Sequence, residues 1–405
     1  MSLDDALAHM LATVPVPNVI EQVDTFDALG RVLAQDLAST IDVPPLDNSA
    51  MDGYALRCID VPAAGVTLPV SQRIAAGAVG AALQPGTAAR IFTGAPVPLG
   101  ADAVVMQEHC TAIAAEGMAA ATAAVCVNVV PRQGEAIRRR GEDIQAGSVV
   151  LARGTRLSPQ AMGLAASVGA ATLPVWRRPR VALFSTGDEL AMPGQPLKPG
   201  GIYNSNRFTL RGLIEAMGAE CRDLGIVADS LDATRSALRD AAHDSDLIIT
   251  SGGVSVGEED HLKPAVQAEG ALSLWKLAIK PGKPLAFGQV GSALFVGLPG
   301  NPVASFVTFL MAVRPLLMRL SGREEAQPVA QALRADFDWP KADRQRREFL
   351  RARRNVGGGV ELYPHQGSGV LTSALWADGL VDLAPGQTVQ RGDVVRFVAF
   401  ADLGV

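Results

Sequence analysis

Cysteine is scarce and scattered: Cys58, Cys110, Cys126 and Cys221 are all 4 that the 405 residues contain. None sits in a CxxC pair or beside a histidine at ligand spacing, which argues against a zinc centre and a disulfide framework. They read as small core residues of a reducing compartment. Positive charge is not in excess either. The net charge is −5, so no global field recruits nucleic acid, and local basic loops are either sites for small anions or solvated surface. No apolar run is long enough for a bilayer. The longest, Val303 to Val313, is broken by Arg314 and Pro315 and reads as a buried helix. The first ten residues, MSLDDALAHM, carry two acids and no basic stretch, so no secretory signal is expected and the expected location is cytoplasmic. HExxH, GxSxG with a triad, GxGxxG and the Walker lysine motif are also missing. Zinc proteases, α/β-hydrolases, dehydrogenases and P-loop ATPases are therefore disfavoured.

What is present is a folded globular composition, 48% hydrophobic and 19% charged, in a chain long enough for two to four domains of about 100 to 200 residues each. Ser2 is placed to cap a helix over Leu3 to Ala12, and Phe26 to Gln35 is a second helix candidate with Leu29, Val32 and Leu33 on one side. From Thr67 to Val150 short runs rich in valine, alanine and glycine predict a β domain, after which Ser158 and Pro159 start another helix. The β domain is therefore read as an insertion. From Arg180 to Leu320 strand and helix patterns alternate, which predicts a mostly parallel α/β sheet covered on both faces. Beyond Gly322 short strands and glycine turns predict a small barrel or sandwich. The expected boundaries are an elongated helical domain of 1–45 with 146–177, a β insertion of 46–145, an α/β domain of 178–322 and a C-terminal β barrel-like domain of 323–405.

The chemistry concentrates between Asp246 and Pro302, where apolar runs end in loops that an open α/β sheet delivers to its carboxyl edge. SGGVSVGEED offers glycine-freed amides from Ser251, Gly252, Gly253, Ser255 and Gly257, followed by Glu258, Glu259 and Asp260. As a turn alone it is weak evidence for phosphate; three successive acids raise it, with Glu258 or Glu259 assigned to helix N-terminal charge and Asp260 kept for function. WKLAIKPGKP brings Lys276, Lys280 and Lys283 with no acid between them, either a solvated run or an anion site. GLPGNP, with Pro299 and Pro302, opens a helix whose N-terminus favours an anion. STGDEL repeats the logic: Asp188 reads as a helix cap, and Glu189 is freer to bind a metal or act as a base. Asp229 ends a further strand, where an N-cap role is equally open. His261 reads as a loop-packing residue.

DNSAMDGYA, TGAPVP, STGDEL, GIYNSNR, SGGVSVGEED, AIKPGKP and GLPGNP, in this order over Asp47 to Pro302, resemble the molybdopterin molybdenumtransferase family, which includes MoeA and the E domain of gephyrin. The resemblance implies insertion of molybdate into the dithiolene of adenylylated molybdopterin, with release of AMP and dependence on Mg²⁺ or a similar divalent cation. It implies a homodimer with a site shared between subunits, and as further partners a molybdopterin adenylyltransferase and molybdoenzyme apoproteins. Carried over position by position, Asp52, Glu189, Asp229, Asp260, Lys276 and Lys280 are catalytic, and Glu189, Asp229 and Asp260 hold the metal. Thr93 is a further functional position, Pro299 and Pro302 shape the loop, and Arg351 and Ser368 look like molybdate contacts; with the residue reading above, Ser251, Gly252, Gly253, Ser255, Gly257 and Lys283 complete the substrate-binding set. The alternatives are a molybdopterin adenylyltransferase, which leaves the β insertion and C-terminal domain unexplained, and a non-catalytic molybdopterin-binding scaffold, against which the full set of acids and lysines argues.

Overall fold

The computed structural model describes residues 1–114, 122–253, 261–323 and 328–405. Helix α1 (Leu3–Thr13) forms where its cap predicts: Ser2 Oγ accepts from the Asp5 amide at 3.1 Å, and Asp4 and Asp5 occupy the first turn, where the helix dipole favours negative charge. Its buried Leu3, Ala6 and Met10 join the core of the central sheet. The expected helix from Phe26 to Gln35 does not form. Only the tight turn Thr25–Asp27 is helical, Gly30 takes a φ of 75°, and Val32 and Leu33 bridge to Arg156 and Val175. Leu33 is buried in a separate core with Leu157, Ala161, Ala165 and Leu173, while Phe26 is left 87% exposed. Pairing with distant segments of the same chain has overridden the local helical spacing.

The β insertion is entered and left through nested antiparallel pairs: Ile20–Asp24 with Thr172–Trp176, then Leu37–Ala38 with Val149–Leu151, then Asn48–Ser49 with Ile137–Arg138. Beyond them Gly53–Leu56, Val66–Ile74, Ala88–Ile91, Ala103–Met106, Cys110–Ala114 and Thr122–Val127 make one six-stranded sheet. The four cysteines are free and half-buried; Cys58 and Cys110 pack against the core of the insertion and Cys221 against that of the central sheet. Burial pushes the thiols of Cys58, Cys110 and Cys221 up to about 11, so they stay protonated and unreactive at neutral pH.

The central sheet is built from β1 (Arg180–Thr186), β2 (Glu220–Val227), β3 (Leu247–Ser251), β4 (Gly270–Lys276), β6 (Pro284–Val290) and β7 (Ala293–Leu298), with the short β5 (Ile279–Lys280) between β4 and β6 in the chain. Its order is β2-β1-β3-β7-β6-β4, parallel as far as β7 and antiparallel beyond. Every residue of β3 and β7 is buried, as continuous apolar runs covered on both faces require. Helices α2 (Ser205–Ala216), α3 (Leu231–Asp244) and α4 (Leu262–Glu269) supply the crossovers. Helix α5 (Pro302–Leu320) is long and apolar enough to cross a membrane but is 94% buried within the protein. Its middle, Phe309–Val313, winds as a π turn, and Pro315, just beyond it, has no N–H to offer the Met311 carbonyl.

The C-terminal strands β8 (Gln331–Ala335), β9 (Arg347–Arg354), β10 (Gly359–Leu362), β11 (Gly379–Leu383) and β12 (Val394–Ala399) close on themselves in the order β9-β10-β8-β12-β11-β9. Of the two expected forms the barrel is the one adopted. It is not separate from the sheet. Strand β5 adds in parallel to β9, with Ile279 opposite Arg347 and Lys280 opposite Glu348.

Candidate active site

A cavity of about 1010 Å³ opens where the carboxyl ends of β1, β2, β3 and β7 meet the barrel loop Gln366–Gly369. Parallel strands place loops at one edge, so this is where such a sheet is expected to bind ligands. Ser251, Gly252 and Gly253 line it, and Gly252 has a φ of 96° with the Thr186 carbonyl only 3.0 Å from where a Cβ would stand. Asp260, Ser255 and Gly257, with Glu258 and Glu259, lie outside the described residues.

The acids come from the loops after β1 and β2. Glu189 and Asp229 both line the cavity. Asp188 caps no helix, contrary to expectation, because the chain runs on through turns to Asn204, whose Oδ1 accepts from the Arg207 amide and caps α2. The alternative of Asp229 as an N-cap also falls away, since α3 is capped by Ser230. Gly187 has a φ of 140° and the Glu189 carboxylate lies against it: a Cβ there would meet Glu189 Oε2 at 2.5 Å. Only glycine leaves that carboxylate its place. Among the described residues no three His, Cys, Asp or Glu side chains gather as a complete metal cage. Two cavity carboxylates nevertheless fit Mg²⁺, which ordinarily keeps waters and takes one or two carboxylates plus substrate phosphates.

The cations come from around β5 and from the barrel. Lys280 and Lys283 line the cavity beside Pro281, Gly282 and Pro284, and Arg346 approaches from the residue before β9. Lys280 Nζ donates to Glu348 Oε1 at 2.8 Å, and Arg346 Nε to Asp343 Oδ2 at 2.8 Å. Pro299, Pro302 and Ser368 line the same space. The first turn of α5 is not wholly free for an anion, because the Val303 amide donates to the Ser368 carbonyl at 2.9 Å. The wall is thus divided by sign, acids at the β1 and β2 end and cations at the β5 and barrel end.

Four expected residues lie elsewhere. Lys276 is exposed at the end of β4 and does not line the cavity. Arg351 is fully buried behind it, donating to Ser373 Oγ at 3.1 Å, the Phe349 carbonyl at 3.3 Å and the Gly367 carbonyl at 3.2 Å. Burial pushes its guanidinium down to about 10. Its place corrects the expectation of a direct oxyanion contact: it holds the loop that presents Ser368. Asp52 and Thr93 sit together in the β insertion, bonded to each other and away from this cavity.

The structure adds Asn204, Asn206 and Arg346. Asn206 Nδ2 donates to Ser251 Oγ and to the Gly300 carbonyl, both at 2.7 Å, tying the β3 and β7 loops together. Asn204 is 2% exposed and lines the cavity, yet among the described residues its Nδ2 has no partner. A buried amide donor without an acceptor costs about 1 to 3 kcal/mol, so a ligand atom that accepts there gains the difference. The sequence signal was the NSNR helix start, which an N-cap alone explains.

Residues 1–169 match the family model described as MoeA N-terminal region (domain I and II), residues 182–319 a probable molybdopterin binding domain, and residues 332–400 the MoeA C-terminal region (domain IV). The chain is similar to a Haemophilus influenzae protein named molybdopterin molybdenumtransferase, 43% identical over 326 residues, 80% of this chain and 79% of that one. A Nostoc protein of the same name is 37% identical over 382 residues, 91% of this chain and 86% of that one. Among solved structures, a molybdopterin biosynthesis MoeA protein from Pyrococcus horikoshii superposes with a TM-score of 0.80 at 31% identity, covering 99% of both chains.

Proposed function

Because this chain belongs to the MoeA family of molybdopterin molybdenumtransferases, we propose that the divided cavity is where molybdate meets adenylylated molybdopterin, and that AMP is released as the metal enters the dithiolene. The enzyme acts in molybdenum cofactor biosynthesis. The observation that carries the finer reading is the separation of charge along one wall: Glu189 and Asp229 at one end, Lys280, Lys283 and Arg346 at the other.

In this reading the phosphoanhydride lies over the glycine-ended loop Ser251, Gly252 and Gly253; the Gly252 amide is engaged with the Leu298 carbonyl at 3.1 Å, and the Ser251 hydroxyl, which accepts from Asn206, keeps its own O–H to donate. Asn204 Nδ2 supplies a further donor to a phosphate or pterin oxygen. Glu189 and Asp229, with Asp260, would hold Mg²⁺, which when bound neutralises phosphate charge and polarises the anhydride. Molybdate is a tetrahedral oxyanion, and Lys280, Arg346 and Ser368 offer it charge-assisted and hydroxyl hydrogen bonds. Arg351 keeps the Ser368 loop in place from behind. Asp52 and Thr93 would complete the site of a partner subunit in a homodimer, and the reaction would take place in the cytoplasm.

The test is to incubate the full chain with adenylylated molybdopterin, molybdate and Mg²⁺, following AMP and the reconstitution of a molybdoenzyme. AMP release that depends on both molybdate and the divalent cation is expected. Binding of molybdopterin without AMP release would replace the transferase reading with that of a carrier.

A further inference from the structure

Glu348 is not among the residues that motif reasoning singles out, yet it connects two of the three cations at that end of the cavity, Lys280 and Arg346. It is 1% exposed on β9. Its Oε1 accepts from Lys280 Nζ at 2.8 Å, and its Oε2 accepts from Trp339 Nε1 at 3.0 Å and from the Asp343 amide at 2.9 Å. Asp343 in turn holds Arg346 through the Nε–Oδ2 bond at 2.8 Å. Burial pushes the Glu348 carboxyl up, but Lys280, the Asp343 amide and the Trp339 indole more than offset this and keep it below the ordinary carboxylate value. One buried charge therefore touches Lys280 directly and Arg346 through one turn of chain.

We propose that Glu348 is a positioning residue for the oxyanion end of the site, aiming the Lys280 ammonium into the cavity and fixing the turn that carries Arg346. The proposal rests on the reading of Lys280 as an oxyanion contact. An ammonium has three N–H donors; Glu348 takes one, which leaves two for a ligand and fixes the direction in which they lie. The partners come from different parts of the chain, Lys280 from β5, in the segment between central-sheet strands β4 and β6, and Glu348 from β9 of the barrel, opposite each other in the added parallel pair. The geometry of the cationic end is thus set by how the barrel docks.

The chemistry of the carboxylate makes the role separable from stability. A glutamine at 348 has one acceptor atom and one donor group. With its oxygen turned to Trp339 Nε1–H and the Asp343 amide, its NH₂ faces the Lys280 ammonium, donor against donor. Glu348→Gln therefore keeps the barrel contacts and releases Lys280.

The experiment is a double-mutant cycle on the full chain with Glu348→Gln, Lys280→Ala and both, together with NMR of the protein carrying ¹³C-dimethylated lysines, the Lys280 signal assigned by its loss in Lys280→Ala. Each single change is expected to lower kcat/KM for molybdate about tenfold or more, with the pair no worse than Lys280→Ala alone, since the loss of a charge-assisted hydrogen bond is felt once. The Lys280 resonance is expected to move toward those of solvated lysines in Glu348→Gln. Multiplying losses in the double variant, or an unmoved Lys280 resonance, overturns the proposal. If Glu348→Gln fails to fold, Glu348→Asp, which withdraws the carboxylate by one methylene, takes its place with the same two readouts. Should the wild-type chain release no AMP, the transferase reading fails, and the resonance still decides whether Glu348 positions Lys280.

Discussion

Asp52 Oδ1 accepts from both the backbone amide and the hydroxyl of Thr93, at 2.8 and 2.7 Å. These two bonds, the amide first, hold the Asp52 carboxyl below its ordinary value, and among the described residues they tie it to Thr93 rather than to the cavity. If the pair completes the site of a partner subunit, Asp52→Ala and Lys280→Ala chains are each inactive alone and recover activity when mixed. A verified heterodimer keeps one intact site of two, so about half the wild-type rate is expected from a two-fold dimer. No recovery in such heterodimers would place the two residues in one chain's site or in none.

Asn204 gives a second test, because capping and binding use different atoms. Asn204→Ser retains a good N-cap for α2 and loses Nδ2, and Asn204→Asp retains the cap and puts negative charge in its place. Thermal stability is expected to stay close to wild type in both. Affinity for AMP, measured by calorimetry, should fall about tenfold in the serine variant and further in the aspartate variant. Unchanged affinity in both would remove Asn204 from the ligand's surroundings.

Gly187→Ala should act on the acid end alone. The added methyl meets the Glu189 carboxylate and the backbone is held at a φ of 140°, a combination costing on the order of 1 to 3 kcal/mol. The expected result is a weaker dependence on Mg²⁺, read as a higher concentration for half-maximal AMP release, with molybdate affinity little changed. Equal damage to both would mean that the loop as a whole has collapsed.

The barrel carries a pH signature. The Arg346 side chain, and next the Gln345 amide, hold the Asp343 carboxyl at about 2 against an ordinary 3.8. A carboxylate lowered on folding contributes stability that is fully present above its unfolded value and lost as pH falls through its folded one. The stability gap between wild type and Asp343→Asn should therefore be open above pH 4 and close toward pH 2. Denaturant melts across that range measure it, and a gap independent of pH would count against the Arg346 pairing.

Much of this was legible in the sequence. The alternation from Arg180 to Leu320 and the glycine-ended strands locate the sheet edge, and Glu189, Asp229, Ser251, Gly252, Gly253, Lys280, Lys283, Pro299, Pro302 and Ser368 do meet there. What was hidden depends on pairing between distant segments. In REFLRARR successive side chains alternate between faces, so Arg351 cannot share the face of Glu348, but only the addition of β5 to β9 says which face looks toward the site. Arg351 reads as a contact because a guanidinium in a motif suggests one; it is instead fully buried and turned to Ser373, Phe349 and Gly367. Phe26 to Gln35 failed for the same reason in reverse: its helical spacing is real, but Leu33 is claimed by Val175 on a strand over a hundred residues away.

The burial of α1 has a consequence for how the chain is made. Leu3, Ala6 and Met10 share one core with Val313, Leu316, Val398 and Leu403, and Arg347 reaches back to Asp4 at 3.3 Å. Helix α1 thus has no surface to rest on until α5 and the barrel, far along the chain, are in place. Contacts of such sequence separation form slowly, and exposed apolar faces in the meantime invite association. The β insertion, whose sheet is local, can form early, whereas the core that α1 shares with α5 and the barrel depends on contacts between distant segments.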